Sequence, residues 1–313
     1  MSEKQIIFIV GCPRSGTTLL RDILISDNRI AIPDEELQIV PAIIECLKSD
    51  SNPELLSLLK RSPFGYFNPE FDFKKIKIAG QNLEEKWINL FSQLTNNTKA
   101  QVYGDKTPEN YRHFKLLLEC FSSAKFLFII RDPRDVVMSL RKAWGKSYLF
   151  AVKKWQTAYR ELNLNSQRAD IYLISYEELL ENPEESINQI GDWLECETLG
   201  EGALSNFVQS KEIYGDSKGI KGVVSSNTKK YYQSCPRFVH YSIEHILEKQ
   251  MADSGYPRDF SQRNNLLLFQ FYLYSLYDVP ASLIRTVLSQ IKSKGAINGI
   301  KYKLQQVLNK YGY

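Results

Sequence analysis

At 313 residues the chain is long for one domain and short for two, so one core domain with an appendage is the expectation. Hydrophobic residues make up 43% and charged residues 24%, ordinary for a soluble globular protein, and 16 Phe with 18 Tyr supply a substantial core. A formal charge of +4 is too small to imply a nucleic-acid partner.

Ile6 to Val10 is a β-branched and aromatic run that predicts a strand buried on both faces. The apolar run is too short for a signal peptide's core or a membrane span. The loop GCPRSGT follows, and then Leu19, Leu20, Ile23 and Leu24 recur at helical spacing. Strand, glycine loop and helix in that order open a phosphate-binding α/β unit. Residues 35–48 and 82–95 predict helices, with Pro and Gly punctuation at 63–69 between them. A second strand, Phe126 to Ile130, ends at Arg131 and precedes a helix over 134–142. A third, Ile171 to Ile174, ends at Ser175–Tyr176 and precedes a helix over 184–195. This alternation predicts an α/β fold: a P-loop-like parallel sheet flanked by helices, with a C-terminal helical extension.

Residues 205–235 lack strong periodicity and carry Gly215, Gly219 and Gly222, the pattern of a long loop, which in a compact domain is functional or disordered. A helix over 237–252 closes at Ser254–Gly255. The boundary is expected there, with one domain over 1–258 and a basic helical extension over 259–313. From Arg263 onward seven basic residues face a single acid, Asp278. The apolar stretch 266–277 is too short to span a bilayer, and an amphipathic segment follows Pro280. Packing on the domain, pairing with a second copy, and contact with a membrane surface all fit this tail. The five cysteines are widely spaced with no C-x-x-C pair, which excludes a zinc ribbon or thioredoxin motif. Free thiols point to a reducing compartment, and the expected location is cytoplasmic.

The loop Gly11–Thr18 has the frame of a P-loop, but Thr17 stands where the lysine belongs. Its glycine backbone can still wrap an anion at the positive end of the following helix. Arg14 supplies a cation from inside the loop. The missing lysine disfavours hydrolysis of a nucleoside triphosphate. A P-loop kinase or nucleotidase whose lysine has moved stays open as the alternative, as does a binding protein without turnover.

The same loop resembles that of sulfotransferases using 3′-phosphoadenosine 5′-phosphosulfate (PAPS), where RSGTT or KSGTT holds the 5′-phosphosulfate. The resemblance assigns Arg14, Ser15, Gly16, Thr17 and Thr18 to the donor. It implies 3′,5′-ADP as product and no metal. In FIIRDPRDVVMS, Arg131 at a strand end and Ser139 eight residues later match the family pair on the 3′-phosphate. An arginine leaving the carboxyl edge of an open α/β sheet is where such sheets bind ligands. Residues 218–231 resemble the donor-binding loop, with Lys230–Tyr231 as its basic–aromatic end, and Tyr176 in SYEEL matches a tyrosine on the nucleotide.

On the acceptor side, DEELQIVP over 34–41 resembles the G-E-E-x-R-I-I-P segment of protein-tyrosine sulfotransferases, whose second Glu is the general base. That makes Glu36 the base, with Glu35 as fallback. Lys106 in YGDKTP matches the catalytic lysine of that branch. Pro108 stands where the phenol and steroid branch has its catalytic His, and His113, His240 and His245 fall in helical segments. A carboxylate can take an alcohol's proton in a dry crevice that raises its pKa, as the oxygen bonds to sulfur. Lys106 and Arg14 would then neutralise charge on the sulfuryl and bridging oxygens. The implied function is sulfuryl transfer from PAPS to an acceptor hydroxyl. Departures are informative. The branch enzymes are membrane-anchored and disulfide-bonded, and neither feature is read here. Ala143 replaces a second donor arginine. Gln38 and Ala42 replace arginines that pair with acidic peptides, which points to a neutral acceptor such as a sugar, lipid, small alcohol or phenol.

Overall fold

The computed structural model describes residues 4–196, 199–209 and 228–294. Most of the expected donor loop, 218–227, and the tail beyond 294 lie outside the described residues. Five strands form one sheet: β1 (Gln5–Gly11), β2 (Ile30–Ala31), β3 (Val102–Asp105), β4 (Lys125–Ile130) and β5 (Ile171–Ser175). Their order is β2-β3-β1-β4-β5, and every pairing is parallel. The chain divides into two compact units, one of Met1–Arg131 with Arg160–Asn227, the other of Asp132–Tyr159 with Thr228–Tyr313.

The first unit holds the sheet, and its central strands are apolar on both sides for a geometric reason. Alternate residues of a strand point to opposite faces. Ile7 and Ile9 of β1, with Leu127 and Ile129 of β4, pack with Leu20, Ile23 and Leu24 of the helix Thr17–Leu24 and with Ile187 and Ile190 of the helix Pro183–Trp193. Phe8 and Phe126 point the other way and stack at 5.4 Å. Trp87 of the helix Leu83–Leu94 approaches Phe8 at 5.6 Å, and Phe121 follows at 6.1 Å. Asn82, whose side chain accepts from the Glu85 amide, starts that helix one residue from its expected place.

The second unit is helical and is held by buried ions. Arg134, near the start of the helix Pro133–Trp144, pairs with Asp132 at 2.7 Å and with Glu244 at 2.6 Å. Its guanidinium also lies 4.4 Å from the Tyr231 ring centroid. His240 and Asp259 close the cluster, with His240 Nε2 2.9 Å from Glu244 and 3.0 Å from Asp259. Burial acts to raise the Glu244 pKa, but hydrogen bonds from His240, the Asp259 and Phe260 amides and Arg134 carry it below the ordinary value.

Four expectations need correction. The helix expected over 35–48 runs Val40–Lys48, so Glu35 and Glu36 lie in the extended approach to it rather than in its first turn. Gln38 at φ 58° turns the chain, and Pro41, with no amide to lose, sits in the first helical turn. The punctuated region between the first two predicted helices holds helices of its own, Asn52–Arg61 and Pro63–Phe67. The helix over 237–252 is two, Arg237–Ile246 and Glu248–Asp253. Among the described residues of the tail, Asn265–Lys294 is one helix that passes through Pro280. Asp278, bound by Arg141, Arg285 and the Tyr148 amide, anchors the turn before the proline.

Arg134→Met removes one cation and leaves Asp132 and Glu244 buried beside it. Stability should fall by about 3–5 kcal/mol, as for other buried pairs broken on one side. Chemical denaturation of the full chain measures this, and a loss below about 1 kcal/mol would show that water or His240 compensates.

Candidate active site

Because all five strands run the same way, their carboxyl ends share one edge, and that edge collects the residues of the first unit that the sequence singles out. The loop after β1 carries Arg14 to Thr18, Glu36 lies in the segment after β2, Lys106 follows β3, Arg131 follows β4 and Tyr176 follows β5. Such carboxyl edges are where open α/β sheets place their ligands.

The loop turns tightly, with Arg14 at φ 75° and the Ser15 amide donating to the Cys12 carbonyl at 3.0 Å. Gly16 is required by two constraints at once. Its φ is 102°, and a Cβ there would fall 2.3 Å from a ring carbon of Tyr176. Thr17 opens the helix, so the first amides of Thr17–Leu24 have no carbonyl within it and face the loop. The Ser15 side chain is fully buried, and its hydroxyl has no hydrogen-bond partner among the described residues. A buried hydroxyl of this kind beside open helix amides suits an anionic ligand. The Arg131 guanidinium covers the Tyr176 ring at 4.2 Å and reaches the Arg14 carbonyl at 3.4 Å. Loop, β4 and β5 therefore meet in one layer, Gly16 on the ring and Arg131 over it.

Glu36 and Lys106 are in direct contact, Nζ to Oε1 2.9 Å, although they are far apart in sequence. The lysine side chain is 4% exposed and the carboxylate 24%, so the carboxylate is the member open to an incoming molecule. Gln38 donates from Nε2 to the second Glu36 oxygen at 2.8 Å, and its amide reaches Thr107 Oγ1 at 3.3 Å. Burial raises the Glu35 pKa, with Lys106 and Arg21 pulling the other way.

Beneath this pair lie charged groups that sequence reasoning passed over. Arg21 is fully buried on the helix Thr17–Leu24, bound to Asp22 and reaching the Pro33 carbonyl at 3.4 Å. Asp105 ends β3 with no exposure at all, and Asn110 Nδ2 donates to its Oδ2 at 2.8 Å. Burial lifts its pKa to about 6; Glu36 adds to the rise, while Thr107, Lys106 and the Leu37 amide oppose it. The signal for Asp105 was present, since it stands one residue before Lys106 at the end of an apolar strand.

Ser139 is half-buried on the helix Pro133–Trp144, and Lys230 is exposed just before the helix Tyr231–Ser234; both belong to the second unit. Tyr231 itself is buried, and its amide donates to Asp135 at 3.0 Å. His240 is absorbed by the Arg134 cluster, and His113 has its pKa lowered by burial and by Arg112.

A model of the sulfotransferase family matches residues 6–199. An uncharacterized protein of Aquifex aeolicus (strain VF5) is 28% identical over 251 residues, covering 73% of this chain and 30% of that protein. The protein-tyrosine sulfotransferase of Drosophila melanogaster is 27% identical over 205 residues, 62% of this chain and 38% of that one. The chain thus spans less than two fifths of the length of these two relatives. Among solved structures, the sulfotransferase domain from the curacin biosynthetic pathway superposes with a TM-score of 0.56 at 20% identity, covering 82% of this chain and all 100% of that domain. The sulfotransferase domain of the Synechococcus PCC 7002 olefin synthase gives 0.53 at 19% identity, covering 79% of this chain and 96% of that one.

The Asp105 carboxyl gives a pH signature. Its folded pKa is about 6 against an ordinary 3.8, so between those values the folded chain holds the extra proton. Its contribution to stability is present below pH ~4 and is lost as pH rises through ~6, by about 3 kcal/mol at most. Asp105→Asn should remove that slope. Denaturation of both proteins from pH 4 to 7 should show the Asn variant gaining on wild type as pH rises; a constant difference would mean an ordinary Asp105.

Proposed function

Since the chain belongs to the sulfotransferase family, we propose that it transfers a sulfuryl group from PAPS to an acceptor hydroxyl and releases 3′,5′-ADP. The observation that carries this reading is the Glu36–Lys106 contact of 2.9 Å at the strand edge that also holds the Gly11–Thr18 loop. The loop, with Arg14, Ser15, Gly16, Thr17 and Thr18, receives the 5′-phosphosulfate, and the unpartnered Ser15 hydroxyl supports that assignment. Arg131 binds the 3′-phosphate and Tyr176 the nucleotide. The resemblance assigns Ser139 and Lys230 to the donor as well.

The reaction needs one proton acceptor and two sites of positive charge. The acceptor oxygen attacks sulfur, its proton passes to a Glu36 oxygen, and the bond from sulfur to the bridging phosphate oxygen breaks. Lys106 leaves Glu36 for the charge growing on the sulfuryl and bridging oxygens. The carboxylate, freed of its cation, becomes a better base as the proton becomes available. Arg14 adds charge from the loop side. The chemistry calls for no metal. Five free thiols support a reducing, cytoplasmic setting.

The acceptor is a neutral hydroxyl compound rather than an acidic peptide. Gln38 stands where an arginine would meet peptide carboxylates, and its amide is engaged with Glu36 at 2.8 Å. Ala42, in the helix Val40–Lys48, adds no charge. An acidic tyrosine peptide should therefore show a lower kcat/KM than neutral sugars, lipids, alcohols or phenols, and the opposite ranking, lost when the peptide's acids are neutralised, would overturn this choice.

Four variants test the site. Arg131→Ala should weaken 3′,5′-ADP binding by about tenfold or more, the loss of a charge-assisted hydrogen bond, and calorimetry against ATP with Mg²⁺ separates this reading from a kinase. Glu36→Gln should leave that affinity near wild type and lower kcat by roughly a hundredfold or more. Lys106→Ala should combine with Glu36→Gln for less than the product of the two losses, because the residues act as a unit. Full activity in Glu36→Gln with a dead Glu35→Gln would move the base by one residue.

A further inference from the structure

The helix Asn265–Lys294 has its two faces reversed relative to a helix packed on a protein in water. Its inner side is largely polar. Ser275, Asp278, Ser282 and Thr286 are buried together with Phe271. Asp278 receives Arg285 at 2.7 Å, the Tyr148 amide at 3.0 Å and Arg141. Its outer side is apolar. Leu266, Phe269, Leu273, Leu276, Leu283 and Leu288 are each between 55% and 76% exposed. They form a ridge of about 33 Å at ~1.5 Å per residue, far more than scattered surface leucines.

We propose that this ridge docks on an anionic lipid membrane, with the helix lying in the plane of the interface. Charge selects that occupant. The single acid between Arg263 and Tyr313 is Asp278, which is buried and paired, so the exposed side presents no anion. Arg263 precedes the ridge, and in sequence Lys292, Lys294, Lys301, Lys303 and Lys310 follow it. Basic residues bracketing an apolar face are attracted to anionic headgroups. Tyr272 at the border of the ridge and Tyr277 within it, 51% and 66% exposed, carry rings suited to the headgroup boundary.

The width of the stripe argues against a second copy as the occupant. A paired helix buries a seam at heptad positions a and d and carries charges beside it that fix register. Here Tyr272, Tyr277 and Ile284 broaden the exposed apolar side beyond such a seam, all exposed and none charged, so a two-helix seam would leave part of that side in water. The contact runs along the surface rather than through it, since among the described residues no helix is long and apolar enough to cross a membrane.

Flotation of the full chain with vesicles of phosphatidylcholine alone, or mixed with phosphatidylglycerol, tests the proposal. The mixed vesicles should carry about tenfold more protein than the neutral ones, with added salt reducing the difference. Leu276→Gln combined with Leu283→Gln changes only exposed side chains at good helix-forming positions, and should lower flotation about tenfold without altering circular dichroism or thermal unfolding. Should that pair disturb folding, Ile284→Gln takes its place, and the two wild-type vesicle arms decide in any case. A wild-type chain that floats with neither vesicle overturns the proposal. So does a sedimenting dimer that the Gln pair dissociates while flotation stays unchanged.

Discussion

A parallel sheet covered on both faces leaves polar chemistry one place to stand, the edge where the strands end, and the first unit follows from that constraint. β1 and β4 must be apolar on each side, because helices bury Ile7 and Ile9 on one face and Phe8 on the other. No ionisable group can project from the middle of such strands at reasonable cost. Charges therefore gather just past the strand ends, at Lys106, Arg131 and the residues after Gly11. Asp105, the last residue of β3, marks where that boundary falls, and burial there lifts its pKa to about 6.

What the sequence disclosed follows from how strongly each element is patterned. β1 and β4 are continuous apolar runs, and the glycine loop names the helix after it, so all three fall where expected. β3 has four residues and β2 two, each ending in or beside loop chemistry, and neither length carries a period. Tertiary pairing with β1 and with Arg29–Ala31 makes them strands. The acids at 35 and 36 looked like helix-starting residues. A left-handed turn at Gln38, which propensity does not reveal, releases them from the helix and points Glu36 at Lys106.

The candidate site was legible as a set of motifs and illegible as a set of contacts. Sequence spacing could associate Arg131 with a strand end, but not show it resting on the Tyr176 ring. Nor could it show that Gly16 is held by that same ring, which joins three separate motifs through one aromatic side chain. The buried pair Arg21–Asp22 was hidden for a simpler reason. On a helical wheel both residues read as surface charges, yet both are buried, Arg21 bound to Asp22 and reaching the Pro33 carbonyl.

The strand order also has a consequence for biosynthesis. β1 is made first, yet both of its neighbours are made much later, with Gln5 opposite Val102 and Ile7 opposite Lys125. An emerging nascent chain therefore carries the apolar run Ile6–Val10 unpaired until most of the first unit's continuous segment has been synthesised. The glycine loop cannot take its final shape before then, because the residues against which Gly11 and Gly16 pack, Ile129 and Tyr176, come from the last two strands and their ends. Long-range parallel pairing of this kind makes folding slow and exposes sticky edges meanwhile. On the ribosome, the Gly11–Thr18 loop is translated well before the residues it packs against and is among the last parts of the first unit to acquire its native geometry.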